Sequence, residues 1–156
     1  MIVRLSAGLA ALCLLSAPVF AQGAKPTDPQ IAHIAYTAGQ IDIEAAKLAL
    51  EKSKNKEVRD FAQDMVRDHT EVNKQALALV TKLNVKPEDN DTSRAWNKQA
   101  TDKRNEMSKL NGAAFDKAYV ANEVAYHKAV NSALETQLIP SASNDELNGI
   151  KIEPQQ

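Results

Sequence analysis

The run EVRDFAQDMVRDHTEVNKQALALVTKL, Glu57 to Leu83, decides the fold. Val58, Ala62, Met65, Val72, Ala76, Leu79 and Leu83 recur in alternating steps of four and three, with His69 in the one remaining place. That spacing is the seam of a long helix packed along its length against other helices. His69, preceded by Asp68, stands where the pattern calls for a core residue. Any chemistry in the chain starts there.

On the N-terminal side, Thr27 or Asp28 is placed to cap a helix, with Pro29 near its first position and Gln30 at capping-box spacing from Thr27. Ile31, Ile34, Ala38, Ile41, Ala45 and Leu48 then form a second three-four stripe, with Glu44 at its edge. Gly39 costs a helix about 1 kcal/mol against alanine, which implies a close helix approach. Lysines in Lys52-Ser53-Lys54 suit a helix end, and Asn55 suits the next cap. So short a connection makes the two helices antiparallel neighbours.

On the C-terminal side, Pro87 leads into an acidic loop, and Thr92 or Ser93 is placed to cap a more polar segment, Arg94 to Leu110. Its apolar points are Trp96, Ala100, Met107 and Leu110, with Trp96 an anchor onto the bundle. Asn111-Gly112 breaks it, and a last long helix carries Phe115, Tyr119, Val120, Val124, His127, Val130, Leu134 and Leu138 until Pro140 stops it. Ser141 to Gln156 reads as a polar tail with at most a turn of helix near Asp145 to Leu147. No prolines fall between Gln30 and Lys86 or between Glu88 and Ile139, and no run alternates like a strand. The expectation is an all-α bundle over residues 28–140, with helices at about 28–53, 56–84, 93–110 and 113–139.

Residues 1–21 read as a signal peptide: Arg4, an apolar run from Leu5 to Ala17 too short for an ordinary span, then Val19-Phe20-Ala21 before a cleavage point at Gln22. Residues 22–27 are a short leader. The expected address is the periplasm or the exterior, with no membrane span in the mature chain. Cys13 leaves with the signal segment, so burial and not disulfides must stabilise the fold. Without Arg4 the 19 basic residues become 18 against 20 acidic, a net charge of −2 with no basic block, which speaks against nucleic acid.

The motif Met65-Val66-x-Asp68-His69-Thr70 following Phe61-Ala62, with Gly112-Ala113-Ala114-Phe115-Asp116-x-Ala118-Tyr119-Val120 and a histidine eight residues after Tyr119, resembles the bacterial domain-of-unknown-function family 4142. The resemblance spans Asp28 to Asn144. It implies an exported protein with a ferritin-like helical bundle, and it brings no established activity. Family members continue beyond the segment Ile139 to Leu147 into a final amphipathic helix with another histidine, whereas this chain turns into Asn148-Gly149-Ile150-Lys151. A missing last helix would leave a groove between the first and last helices, to be filled by a second copy or a partner's helix.

Five residues are candidate metal ligands: Glu44, Asp68, His69, Glu123 and His127. Glu123 and His127 are four apart and share a helix face. Together the five supply enough oxygen and nitrogen for a divalent ion, although the chain holds none of the Glu-x-x-His pairs of a di-iron centre. The same residues also read as core histidines, His69 being hydrogen-bonded to a carboxylate such as Glu44 or Glu123. His33 lies off its stripe and carries no role. No Gly-x-Ser-x-Gly, glycine-rich phosphate loop or reactive cysteine is present, so no enzyme and no organic cofactor is expected. The leading expectation is a non-enzymatic envelope protein acting by binding or in stress; the other is a ferritin-like metal-binding or storage protein.

Overall fold

The computed structural model describes residues 25–148. The expected signal segment, and the tail beyond Asn148, lie outside the described residues. Four long helices dominate: α1 (Asp28–Lys52), α2 (Lys56–Lys82), α3 (Asp91–Ser108) and α4 (Gly112–Ala133). A π-helical segment, Leu134–Leu138, an α-turn, Ile139–Ser141, and a short helix, Asp145–Asn148, follow. Among the described residues there is no strand, and no helix is long and apolar enough to cross a membrane.

Local chemistry sets the boundaries. The Thr27 amide donates to Gln30 Oε1 at 3.2 Å, closing one half of the capping box. Asn55 Oδ1 accepts from the Glu57 and Val58 amides at 2.9 and 3.4 Å, so α2 begins immediately after a three-residue connection. α3 starts earlier than expected, because Asn90 and not Thr92 or Ser93 is the cap. Asn90 Oδ1 accepts the Ser93 amide at 3.0 Å and the Ser93 hydroxyl accepts the Asn90 amide at 3.3 Å. Gly112 opens α4 at φ 54°, a conformation that costs glycine nothing and a β-carbon about 1–2 kcal/mol.

α1 is the central element. Its lower half, Ala45, Ala46 and Ala49, packs with Val58, Ala62 and Met65 of α2, Met107 of α3, and Phe115 and Tyr119 of α4. Its upper half, Ile31, Ile34, Ala38 and Ile41, packs with Trp96 of α3, and with Val130, Ala133 and Leu138. Trp96 is the anchor that its isolation on a polar segment suggests. A small third cluster joins Ala32 to Val80, flanked by Leu79, Leu83 and Val85. Each large side chain buried this way contributes about 1.5–3 kcal/mol.

Three expectations about the seams need correction. In α2 the buried line is Val58, Ala62, Met65, His69, Asn73, Ala76 and Val80, not Val72 and Leu79. A strict three-four alternation averages 3.5 residues per turn, whereas a straight helix needs 3.6, so by the fourth turn the drift, about 40°, is enough to favour Asn73 over Val72. In α4, Val120 and Val124 are exposed, at 43% and 51%, because the buried arc runs through Phe115, Tyr119, Glu123 and Val130. Pro140 does not stop the last helix, which continues to Ser141. The π-helical segment absorbs the proline: the Ile139 amide reaches back five residues to the Leu134 carbonyl, so hydrogen bonding has already left the α pattern when Pro140 arrives.

Gly39 makes room on α1 for the Asn73 side chain of α2. A β-carbon there would collide with the Asn73 amide group, reaching its Cγ at 2.9 Å. Gly39→Ala gains about 1 kcal/mol of helix propensity but overpacks a buried contact at about 1–3 kcal/mol. A net destabilisation of about 1 kcal/mol is expected, seen as a lower urea midpoint with unchanged slope. A rise in the midpoint would show that Asn73 swings aside freely.

Candidate metal centre

Between the two apolar halves of the bundle lies a polar layer. On α2 it is His69, flanked by Met65 and Asn73; on α4 it is Glu123 and His127, flanked by Tyr119 and Val130. On α1 it is Asp42, which lies between Ile41 and the Ala45–Ala46 pair. Asp42, His69 and Glu123 are 3%, 6% and 2% exposed. His127 is the most open member, with 23% of its side chain reaching solvent.

Asp42 is the hub. Its Oδ2 lies 3.3 Å from His69 Nε2 and 3.9 Å from His127 Nε2. One donor atom from each of these three residues falls within 4.8 Å of the others. Yet neither Nε2 makes a hydrogen bond, and Asp42 Oδ1, Glu123 Oε2 and Tyr119 Oη are likewise buried without a partner. Each such orphan costs about 1–3 kcal/mol, so a cluster of them calls for an explanation. The rings of His69 and His127 sit 5.7 Å apart at 45°, tilted and not stacked.

The tautomer of His127 follows from its surroundings. Nδ1 lies 2.9 Å from the Glu123 carbonyl oxygen, which can only accept, so Nδ1 carries the proton. In the neutral ring Nε2 is then a bare lone pair facing Asp42, the orientation that metal-binding histidines take when a backbone carbonyl holds the other nitrogen.

Electrostatics follow burial. His69 is pushed down to about 4 by burial, with the neighbouring His127 adding to it, so its ring is neutral at pH 7. Asp42 is pushed up to about 9 by burial, reinforced by the Glu123 carboxylate. Burial also raises Glu123 to about 7, although the Asn122 hydrogen bond and the facing Asp42 carboxyl work the other way. Two facing buried carboxyls cannot both ionise cheaply, so burial and mutual repulsion raise the pair together. Tyr119 and Tyr126 are raised by burial and then by the same two carboxyls. Among the described residues no lysine or arginine pairs with Asp42 or Glu123.

Of the five residues expected from sequence, His69, Glu123 and His127 meet here. Glu44 does not: it is exposed on the far side of α1 and pairs with Arg104 at 2.5 Å. Asp68 does not join the cluster either: it is partly exposed and pairs with Arg67 at 2.7 Å. The carboxylate facing His69 is Asp42, not Glu44 or Glu123. Asp42 was legible in principle: Gly39, Asp42, Ala46 and Ala49 form a second three-four row of small residues beside the isoleucine stripe. His33 has a structural partner, with Nδ1 3.0 Å from Ser93 Oγ, tying α1 to the start of α3.

Two nitrogens and carboxylate oxygen suit zinc, iron(II), cobalt or manganese better than calcium, which takes six to eight oxygens, or copper(I), which prefers sulfur. Two surface hollows are lined by other residues: about 310 Å³ beside Glu44, Leu48 and Arg104, and about 510 Å³ along Val120 and Val124.

The fold and this layer define a class: an all-helical bundle with a buried carboxylate–histidine cluster. The chain belongs to the family described as Domain of unknown function (DUF4142), whose sequence model matches residues 15–150. No curated protein and no solved structure matches the chain.

Proposed function

We propose that this is an exported cell-envelope protein whose helices form an antiparallel ferritin-like bundle that binds one divalent transition-metal ion, without catalysing a reaction. The observation carrying the reading is the convergence of Asp42, His69 and His127 from three helices, with both Nε2 atoms buried and unpartnered. A core histidine kept for folding would have its ring nitrogens hydrogen-bonded. The three-part segment ending at Ala21, with its charge, apolar run and small residues in order, supports export to the periplasm or the exterior.

The test is direct. The purified chain, dialysed against zinc, iron(II) and manganese in turn and then against buffer, should retain about one ion per chain for at least one of them, by elemental analysis. Retention below a tenth of an ion for every metal would overturn the reading. A second reading rests on the exposed pair Val120 and Val124 of α4. It has this face covered by a second copy, and sedimentation would then show a dimer that Val124→Lys splits.

A further inference from the structure

Resting on the metal-binding reading above, we infer that Glu123 is the fourth donor, so that the site is a closed, four-coordinate centre of two histidines, one aspartate and one glutamate, selective for a zinc-class dication.

Charge decides the matter. Two neutral imidazoles add no charge, and Asp42 adds one negative charge. A dication held by these three alone leaves a net positive charge in an interior where Asp42 is 3% exposed and His69 6%. An uncompensated buried charge is expensive, and proteins avoid it by pairing. Glu123, at 2% exposure, is the one further carboxyl among the described residues that acts on Asp42. With it the ion, two carboxylates and two imidazoles sum to zero. The converse holds too: without a cation, two buried carboxyls share the interior with no lysine or arginine as counter-charge among the described residues.

The geometry agrees. Glu123 Oε1 accepts from Asn122 Nδ2 at 3.3 Å, which steadies the group, while Oε2 is buried and left over. Glu123 and His127 stand one turn apart on the same face of α4, and the Glu123 carbonyl is what fixes the tautomer of His127. The Glu123 carboxyl faces Asp42 but lies outside the set of donor atoms within 4.8 Å of one another, so its side chain must move toward them to complete the site. Two nitrogens and two oxygens around one ion is a tetrahedral zinc-type set. Four protein donors leave no position for a reactive water, so the centre retains its ion and does not activate a substrate.

The chain is stripped with chelator and titrated with cobalt(II), read by visible absorption. The expected result is one cobalt per chain with the strong visible bands of four-coordinate cobalt, displaced by one equivalent of zinc. Glu123→Gln keeps the shape and removes the charge: zinc affinity should fall by about 100-fold or more, and the cobalt bands should fade. Glu44→Gln, on an exposed carboxylate paired with Arg104, should change neither. Circular dichroism checks that each variant is folded. If Glu123→Gln does not fold, Glu123→Asp, which keeps the charge but withdraws it by one methylene, should bind at least about 10-fold more weakly than the native chain. One cobalt bound with the faint spectrum of six-coordination, or a folded Glu123→Gln indistinguishable from native, overturns Glu123 as a donor and leaves the cation site standing. No cobalt or zinc bound at any concentration overturns the reading beneath it.

Discussion

His69→Leu should abolish the zinc-dependent rise in melting temperature while leaving the metal-free chain as stable as the native one, or more so. The native chain at zinc 100-fold above its Kd should gain about 2.7 kcal/mol, which for a domain of this size is a rise of about 10 °C. Leucine removes a donor atom and so removes that response. The metal-free result separates the two readings of the histidine. His69 Nε2 is buried and makes no hydrogen bond, though Asp42 Oδ2 is 3.3 Å away. Replacing an unsatisfied polar ring with an apolar group of similar size is neutral or stabilising. A metal-free variant that melts several degrees below native would mean that the imidazole holds the fold together. Scanning calorimetry with and without zinc measures both effects.

The metal-free chain should also lose stability as pH rises from about 5 to 9. A carboxyl that holds its proton more tightly when folded than when unfolded lowers stability as pH climbs between the two values. For Asp42 that window runs from the ordinary 3.8 to about 9, and for Glu123 from 4.5 to about 7. His69 acts in the opposite sense. Its folded value is down near 4 against 6.5 unfolded, so its contribution is present above 6.5 and is lost as pH falls through that window. Below 6.5 the histidine therefore offsets one carboxyl; above it the carboxyls act unopposed. A drop of at least about 2 kcal/mol between pH 5 and pH 8, or roughly 8 °C, is expected. Asp42→Asn should flatten the profile. Saturating zinc, which favours the ionised carboxylates, should reverse the trend. A native metal-free profile that is flat from pH 5 to 9 would show that the two carboxyls do not share a buried environment.

Much of this molecule can be read from spacing alone. The four helices, the caps at Thr27 and Asn55, and the isoleucine stripe of α1 follow from local rules, because the residues that enforce them are neighbours in the chain. The misreading in α1 comes from its number of packed faces. A stripe drawn in three-four steps describes a helix with a single packed face, and α1 is packed on several. Asp42 sits on a second face, beside Gly39 and Ala46, so the isoleucine stripe points to Glu44 instead. In α4 the hydrophobic character of Val120 and Val124 places them in the expected core, although tertiary packing exposes them and buries Glu123, the candidate ligand in the same turns. The starting residue of α3 depends on choosing among Asn90, Thr92 and Ser93, all good caps, and only the reciprocal Asn90–Ser93 bonds distinguish them. His69, by contrast, is conspicuous because a polar residue interrupts an otherwise apolar line.

The π-helical segment Leu134–Leu138 has a meaning for how this chain is compared with others. Val130, Ala133 and Leu138 are all buried, and the last step among them is five residues where an α-helix would take three or four. The helix thus accommodates one surplus residue without turning Leu138 away from the core. Such a bulge is what an ancestral single-residue insertion looks like once the fold has adapted to it. A relative lacking the surplus would keep a plain α-helix and present the counterpart of Leu138 one position earlier. Any alignment that runs ungapped through these five residues would then be out of phase from there to the end, pairing buried positions with exposed ones.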